Sequence, residues 1–578
     1  MHKLFPFLQW RHQYQKSFLT KDIVAGLTVG IVLIPQGMAY AMVAGLPPVY
    51  GLYAALVPVL FYALLGTSRQ LAVGPVAMDS LLVAAGLGTL AITSVENYIS
   101  LAIFLAFLVG AIQLLLGVFR MGFLVNFMSK PVISGFTSGA AFIIIFSQLK
   151  HLLGTAIPGS SQFHKLVSNA FKNILNTHWV DLLVGVIAII LIVAIKRWSK
   201  RIPGILVVVV LGIIAAFAFH LEQYGLKVVG EIPKGLPSFQ LPDISMGNIE
   251  TLWPIALTLA LVGYLEAISI GKSIQENTNE DTINPNQELI ALGTANMAGS
   301  FFQGYPVTAS FSRSAISYQT GAKSTIASLF SVGLVALTLL FLTPIFYYLP
   351  NAVLAAIIMV SVFNLIDFKF AKELWENRKD EFLVWVLTFL LTLFIGIKEG
   401  ILIGVLFALL VMVYRTSKPH YAVLGQVKGT DYYKNVNRFN KDVMVRDDVL
   451  IIRFDAQLYF GNTTFFKKQI EQQVAKKGSD LKAIILNAEA INYIDSTAAT
   501  MLKQLIEKLQ QKGIEFFIAG AIGPARDIIF SSGIITILGK EHLFVKTHEV
   551  MDYINKVENV NLKTSEKIAC QNQHASKK

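Results

Sequence analysis

The chain has 578 residues, of which 54% are hydrophobic and only 15% charged, against roughly 25% charged in a typical soluble domain. That is more apolar surface than one water-soluble core can hide, so a purely soluble protein is excluded. The net charge of +12 does not indicate nucleic acid, because Lys and Arg sit mainly in loops and tails without interleaved aromatics, and the lone Cys570 excludes an intrachain disulfide framework and a Cys-based metal site.

In chain order, residues 1–21 read as a short polar segment. The apolar run that follows is too long for the h-region of a signal peptide, so no cleavable leader is expected. The charge-free stretch from Ile23 to Ser68 suffices for two helical spans and that from Ser324 to Ile366 for two more, each crossing needing about 20 apolar residues. Shorter apolar runs at 98–118, 131–149, 182–195, 202–221, 251–271, 289–303, 382–397 and 400–414 extend a polytopic helical series. Loops that alternation places inside carry 19 Lys and Arg, and those placed outside carry 6. By the positive-inside rule both termini are expected in the cytosol.

Two places interrupt the helical pattern alike. Gln70-Leu-Ala-Val-Gly-Pro75 puts an extended stretch and a Pro ahead of a short apolar segment, and Phe302-Gln-Gly-Tyr-Pro306 does so ahead of Val307–Ser317. Paired interruptions at corresponding positions of two halves indicate an inverted-repeat transporter with a midplane site; the plainer alternative is two irregular loops with ordinary Pro turns. Hydropathy ends near Tyr414. Beyond it Val449–Phe454, Leu481–Leu486 and Glu515–Ala519 read as buried strands, while Thr463–Lys476 and Thr497–Gln511 read as helices, predicting a small α/β domain. The Lys-rich tail, residues 558–578, is expected to be disordered.

The motifs Ile34-Pro-Gln-Gly-Met-Ala-Tyr-Ala41, Gly45-Leu-Pro-Pro-Val-Tyr-Gly-Leu-Tyr53, Gly66-Thr-Ser-Arg69, Gly74-Pro-Val-Ala77, Gly263-Tyr-Leu-Glu-Ala-Ile-Ser269 and Ser310-Phe-Ser-Arg-Ser314 closely resemble those of the SulP (sulfate permease) family, which includes pendrin and prestin. The segments Arg453–Gly461 and Ile494-Asp-Ser-Thr-Ala498 resemble that family's STAS domain. The resemblance covers residues from about 20 to 557. It implies a bacterial-type member: a polytopic α-helical membrane protein of about fourteen segments in two inverted repeats of seven, with a uracil-permease-like core and gate, a cytosolic α/β STAS domain, and a homodimer working by an elevator-like motion. On this basis the transport domain is expected at 22–416, with a core at approximately 22–120 and 251–345 and a gate at approximately 121–250 and 346–416, and the STAS domain at 417–557.

Half-helices that begin within the membrane direct unpaired N–H groups and a positive dipole end into the cavity between them, where an anion can bind. A helix starting near Pro75 would offer the amides of Val76 and Ala77, and one starting near Val307 those of Thr308, Ala309 and Ser310. The resemblance adds Gln36 and Tyr40, four residues apart on one helix face, whose alternative role is interhelical packing. Ser312 and Arg313 complete the expected substrate site. Arg313 is a cation in a charge-free stretch from Leu289 to Ser312, costly unless paired or facing water. Two helix ends of roughly +0.5 each and Arg313 give the pocket about +2, suited to a dianion such as sulfate; the alternative is that Arg313 pairs with an acid to pin two helices.

Glu266, in the middle of Thr251–Gly271, is expected either to pair with Arg313 or to carry a coupled proton, a role the resemblance strengthens. In the family's sodium-dependent branch the acid is followed one turn later by a hydroxyl; here that position is Ile270, so no sodium site is expected. Asp79 is either a second proton-coupling group or an acid stabilised by its helix N-terminus. In the STAS domain Ser496 and Thr497 are candidate phosphorylation sites by resemblance to anti-sigma antagonists, against an ordinary N-cap role for this loop. No Walker loop, catalytic triad or metal cluster stands in the sequence, so neither an enzyme nor a cofactor is expected.

The expected partners are a small inorganic anion, protons, the lipid bilayer and a second copy of the chain, with a cytosolic partner of the STAS domain as a further candidate. The expected location is the cell inner (plasma) membrane. Sulfate uptake with proton coupling is the leading reading. Bicarbonate or chloride exchange at the same site is the rival within transport, and a membrane anion sensor signalling through the STAS domain is the rival from another class.

Overall fold

Most of the apolar runs become helices in the computed structural model, which describes residues 6–8, 14–88, 90, 92, 94–123, 129–158, 160, 162–198, 203–278, 283–439 and 441–557. The segment expected at 1–21 lies partly outside the described residues, and the tail at 558–578, with Cys570, lies wholly outside them. The chain divides into two units, Met1–Ala408 and Leu409–Lys578. The division falls inside the last apolar helix, not at residue 417 where the polar composition begins.

Among the described residues two successive runs of seven membrane segments follow one another, the last of them running on into the second unit. The first run is α1 (Lys16–Val43), α2 (Val57–Leu65, preceded by the short helix Pro48–Tyr53), α3 (Ala77–Leu87), α4 (Val95–Val118), α5 (Lys130–Ser147), α6 (Trp179–Trp198) and α7 (Gly204–Ala218). The second is α8 (Met246–Thr278), α9 (Pro285–Ser300), α10 (Phe311–Gln319), α11 (Ile326–Leu337), α12 (Asn351–Phe363), α13 (Lys379–Phe394) and α14 (Ile397–Ser417). By length and composition 9 described helices can cross a membrane unaided; α3 and α10 are too short and complete their crossings with extended chain. The protein is a multi-pass membrane protein.

Packing repeats between the halves. The α1–α11 contact has its counterpart in α8–α4, the α4–α9 contact in α11–α2, and the α5–α13 contact in α12–α6. Small residues permit the closest of these approaches. A Cβ at Gly110 of α4 would collide with the Met297 amide of α9, and one at Gly293 of α9 would collide with the Leu114 amide of α4, so the backbones meet without intervening side chains. Exposed apolar side chains on α14, including Leu402, Leu406 and Leu410, suit a lipid-facing surface.

Unpaired backbone within hydrocarbon costs several kcal/mol per group, so the two interruptions must satisfy each other. Val73–Gly74 (β1) and Thr308–Ala309 (β2) form an antiparallel pair, with Val73 opposite Ala309 and Gly74 opposite Thr308. The Ser310 amide donates to the Ala72 carbonyl at 2.9 Å, and the Ala72 amide donates to Ser314 Oγ at 2.9 Å. On the other flank Asn296 grips Val307 twice, accepting from its amide at 2.8 Å and donating to its carbonyl at 3.0 Å.

The second unit is built on a mixed sheet of order β4-β3-β6-β7-β8-β9, with β5 also pairing β3. Its strands are β3 (Tyr421–Val427), β4 (Tyr433–Asn435), β5 (Val443–Met444), β6 (Val449–Phe454), β7 (Ala483–Asn487), β8 (Glu515–Ala519) and β9 (Leu543–Phe544). From β6 to β9 the strands run parallel; α15 (Thr463–Lys477) and α16 (Ser496–Gln510) are the first two helical crossovers, and the short helices Gly523–Ser531 and Ile534–Leu538 make the third. Leu450, Ile452, Phe466, Ile484, Leu502 and Phe516 lie in one core beneath these helices.

Candidate functional site

The crossing of β1 and β2 gathers polar groups in an otherwise apolar interior. Arg313, one turn into α10, is fully buried. Its Nη2 donates to the Pro75 carbonyl at 2.8 Å and its Nη1 to Gln36 Oε1 at 3.3 Å, while Nε has no hydrogen-bond partner among the described residues. Gly74 makes room for the guanidinium: a Cβ there would stand 3.3 Å from Nη2, and its φ of 145° disfavours a side chain in any case. Gln36 and Tyr40 are both buried on α1, and Gln36 Nε2 also lacks a partner. Tyr40 and Tyr305 are electrostatic neighbours of the guanidinium.

The second helix start differs from that expected near Val307. The first half-helix begins at Ala77 with Val76 as its N-cap, and the second at Phe311 with Ser310 as its N-cap. Thr308 and Ala309 are therefore strand residues paired with Gly74 and Val73, and the Ser310 amide is spent on Ala72. Long-range strand pairing has displaced the expected amide array, and the first-turn amides of α10 belong to residues after Ser310. Ser310 acts instead through its side chain, whose Oγ accepts from the Arg313 amide at 3.4 Å. Ser312 is exposed, with its hydroxyl 3.3 Å from that of Ser310.

The expected ion pair of Arg313 with Glu266 is not formed, and neither is one with any other acid among the described residues. Arg313 finds its partners in an amide and a carbonyl, dipoles that stabilise its charge without cancelling it. Glu266 lies near Asp79. Asp79 Oδ2 would be 3.2 Å from a Cβ at Gly263, one turn before Glu266 on α8, and Asp79 Oδ1 has no hydrogen-bond partner among the described residues. Both carboxyls are buried. The structure thus separates a cationic locus at Arg313 from an acidic one at Asp79 and Glu266.

Tyr305, Ser80, Asn296 and Gln113, which sequence reading missed, and the side chain of Thr308, expected there only for its amide, hold these loci in place. Tyr305 Oη lies 3.0 Å from Ser80 Oγ on α3, and Thr308 Oγ1 donates to the Gly263 carbonyl at 2.6 Å. Asn296 donates to Gln113 Oε1 at 3.1 Å, and Gln113 Nε2 donates to the Ala260 carbonyl at 3.0 Å. A signal existed for the last two, since a solitary amide side chain within an apolar span marks an interhelical hydrogen bond. In the second unit Asp495 caps α16, its Oδ1 accepting from the Ala498 amide at 2.7 Å, while Oδ2 accepts from the Phe460 amide at 2.8 Å. Ser496 and Thr497, in the first turn of α16, are both exposed.

Comparison with known proteins agrees with this architecture. The model of the sulfate permease family matches residues 19–388 and that of the STAS domain residues 440–550. The chain is 38% identical to Sulfate transporter 4.1, chloroplastic, of Arabidopsis thaliana, covering 95% of this chain and 82% of that protein. It is 32% identical to a probable sulfate transporter of Mycobacterium tuberculosis (strain ATCC 25618 / H37Rv), covering 92% and 95%. Among solved structures, the murine Solute Carrier 26 family member A9 anion transporter in the inward-facing state superposes with a TM-score of 0.88 at 28% identity, covering 96% of this chain and 94% of that one. The transmembrane domain of a cyanobacterium bicarbonate transporter shares the fold, with a TM-score of 0.60 at 24% identity over 68% of this chain and 98% of that one. The chain belongs to the sulfate permease family, a family of transporters rather than enzymes.

Proposed function

We propose that this sulfate permease family member is a secondary active transporter of a small inorganic anion, sulfate being the leading candidate, with protons as the coupling ion. The observation that carries the reading is Arg313: a fully buried cation held by neutral dipoles, at the crossing of two interrupted segments, where a membrane protein tolerates such a cost for function. The names of the similar plant and mycobacterial proteins favour sulfate. Asp79 and Glu266 supply carboxyls that can hold a proton close to the anion locus, and Gln36, Tyr40 and Ser310 supply neutral groups around the cation.

In this reading α1–α4 with α8–α11 form the moving core, and α5–α7 with α12–α14 form the gate against which it shifts. The partition follows the packing, since the α1–α11, α8–α4 and α4–α9 contacts lie within one set and α5–α13 and α12–α6 within the other. The chain works as a homodimer in the cell inner membrane with both termini cytosolic. Uptake of labelled sulfate into proteoliposomes tests the proposal. Saturable uptake accelerated by an inward proton gradient is expected. Anion binding without flux would replace transport by sensing, and flux of bicarbonate or chloride with none of sulfate would reassign the substrate.

A further inference from the structure

The second unit contains a cavity of about 170 Å³ whose walls include His420, Tyr433, Lys434, Arg438, Phe439 and Arg453. The topology explains why these residues converge. Pairing of β3 with β4 sets Asn435 opposite Leu424. The following turn folds back, with the Val436 amide on the Val423 carbonyl at 3.0 Å and the amides of Arg438 and Phe439 both on the Asn435 carbonyl, at 3.1 and 3.0 Å. On the other side of β3, β6 brings Arg453 opposite Ala422, and His420 stands immediately before β3.

One acid organises the charges. Asp455 accepts from Arg453 through Nε at 2.5 Å and Nη2 at 3.1 Å, and lies 2.6 Å from His420 Nδ1. Burial opposes its charge, but the hydrogen bonds from Arg453 and His420 outweigh that and hold its carboxyl below the ordinary range. Asp455 therefore fixes the orientation of both side chains while offsetting one positive charge. Lys434 and Arg438 have no acidic partner among the described residues, and the Lys434 ammonium is poised 4.7 Å from the centre of the Phe439 ring. The Tyr433 ring adds to the wall; its hydroxyl is buried with Asp552 and Asp431 nearby, and burial pushes it up to about 12.

Two cations without an acidic partner among the described residues, Lys434 and Arg438, beside an Arg453 oriented by Asp455 and an aromatic wall, form an oxyanion receptor. The volume is well under the roughly 300–1,000 Å³ of pockets for drug-sized ligands, which excludes a nucleotide or a peptide. We propose that this cavity binds a small tetrahedral dianion of the sulfate and phosphate class, at a site separate from Arg313. The proposal stands whether or not sulfate is the transported anion, because none of its residues belongs to the membrane site.

Amide hydrogen exchange on the full-length protein in detergent, with sulfate, inorganic phosphate or chloride at constant ionic strength, tests this. Sulfate and phosphate are expected to slow exchange in residues 433–439, and chloride is not. The double variant Lys434→Gln/Arg438→Gln should lose the effect, each charge-assisted contact being worth roughly tenfold in affinity, while Arg313→Ala should keep it. Exchange in β6 without added anion verifies that the variants are folded. Protection by phosphate alone supports the site and assigns it to phosphate groups; protection by sulfate alone supports it and makes it a reader of that anion. Equal protection by chloride, protection that survives in the double variant, or no protection by either dianion overturns the proposal.

Discussion

The guanidinium of Arg313 in α10 donates to the carbonyl of Pro75, 238 residues earlier in the chain and 2.8 Å away. This bond joins the interrupted segment of one repeat to that of the other. Because the acceptor is a neutral carbonyl, it positions the cation without neutralising it, and the bond from Nη1 to Gln36 does the same. A carboxylate partner would have left a pocket with no net attraction for an anion. Arg313→Ala is therefore expected to weaken anion binding in detergent by roughly ten- to a hundredfold, as hydrogen bonds to charged groups are worth about 1.5–3 kcal/mol, and by more than Gln36→Ala. Unchanged affinity in a folded Arg313→Ala protein would make the residue structural.

How much of this was legible in the sequence depends on the range of the interaction. The two interruptions were visible because Pro75 and Pro306 are local signals, and β6, β8, α15 and α16 because apolar spacing is local too. The start of α10 was placed too early, since nothing near Thr308 announces its pairing with Gly74. The alternative reading of Arg313, an ion pair with an acid, fails for a related reason. Charge complementarity suggested Glu266, whereas a folded backbone can offer a carbonyl that sequence pattern does not reveal.

The close approach of α4 and α9 gives a stability prediction. Gly293→Val places a side chain against the Leu114 amide and within 2.8 Å of the Gly110 carbonyl, and overpacking of this kind costs roughly 1–3 kcal/mol. Gly333, whose Cβ would meet nothing within 4 Å, is the control. Thermal unfolding in detergent should show a lowered midpoint for Gly293→Val and little change for Gly333→Ala. Equal midpoints for the two variants would contradict close backbone packing at this contact.

Topology can be read by labelling. With Cys570 replaced by Ser, a single cysteine at Ser160 should react with an impermeant maleimide from outside intact cells, and one at the exposed Trp375 should react only after permeabilisation. The expectation rests on 19 Lys and Arg in the inside loops against 6 outside. The opposite labelling pattern would invert the orientation.

The bridge of Asp455 with Arg453 and His420 predicts a pH dependence confined to the second unit. The folded-state carboxyl titrates below its unfolded value. Its contribution to stability is accordingly present above the unfolded pKa, about 3.9, and lost as pH falls through the lower folded value. Asp455→Asn should speed amide exchange in β6 at neutral pH, after correction for intrinsic rates, and the difference from wild type should shrink in strong acid. A difference independent of pH would show that packing, not charge, is what the substitution removes.

The remaining prediction concerns the proton. Bringing a dianion into a cell against a negative-inside potential costs about 2.3 kcal/mol per charge per 100 mV, so sulfate accumulation needs co-moving positive charge. Glu266 and Asp79 are buried near each other, and with Arg313 engaged elsewhere no fixed cation among the described residues pairs with either. An ionised pair there would repel the anion, whereas a proton taken up by either carboxyl relieves that repulsion, which ties anion entry to proton entry. Glu266→Gln mimics the protonated form. It should bind sulfate, lose acid-stimulated uptake, and still exchange sulfate for sulfate across proteoliposomes, while Asp79→Asn should blunt acid stimulation less if Glu266 is the main carrier. Uptake after a pH jump decides between them. A Glu266→Gln protein driven by an inward proton gradient as strongly as wild type would remove Glu266 from the coupling step, and loss of stimulation in Asp79→Asn alone would assign that step to Asp79.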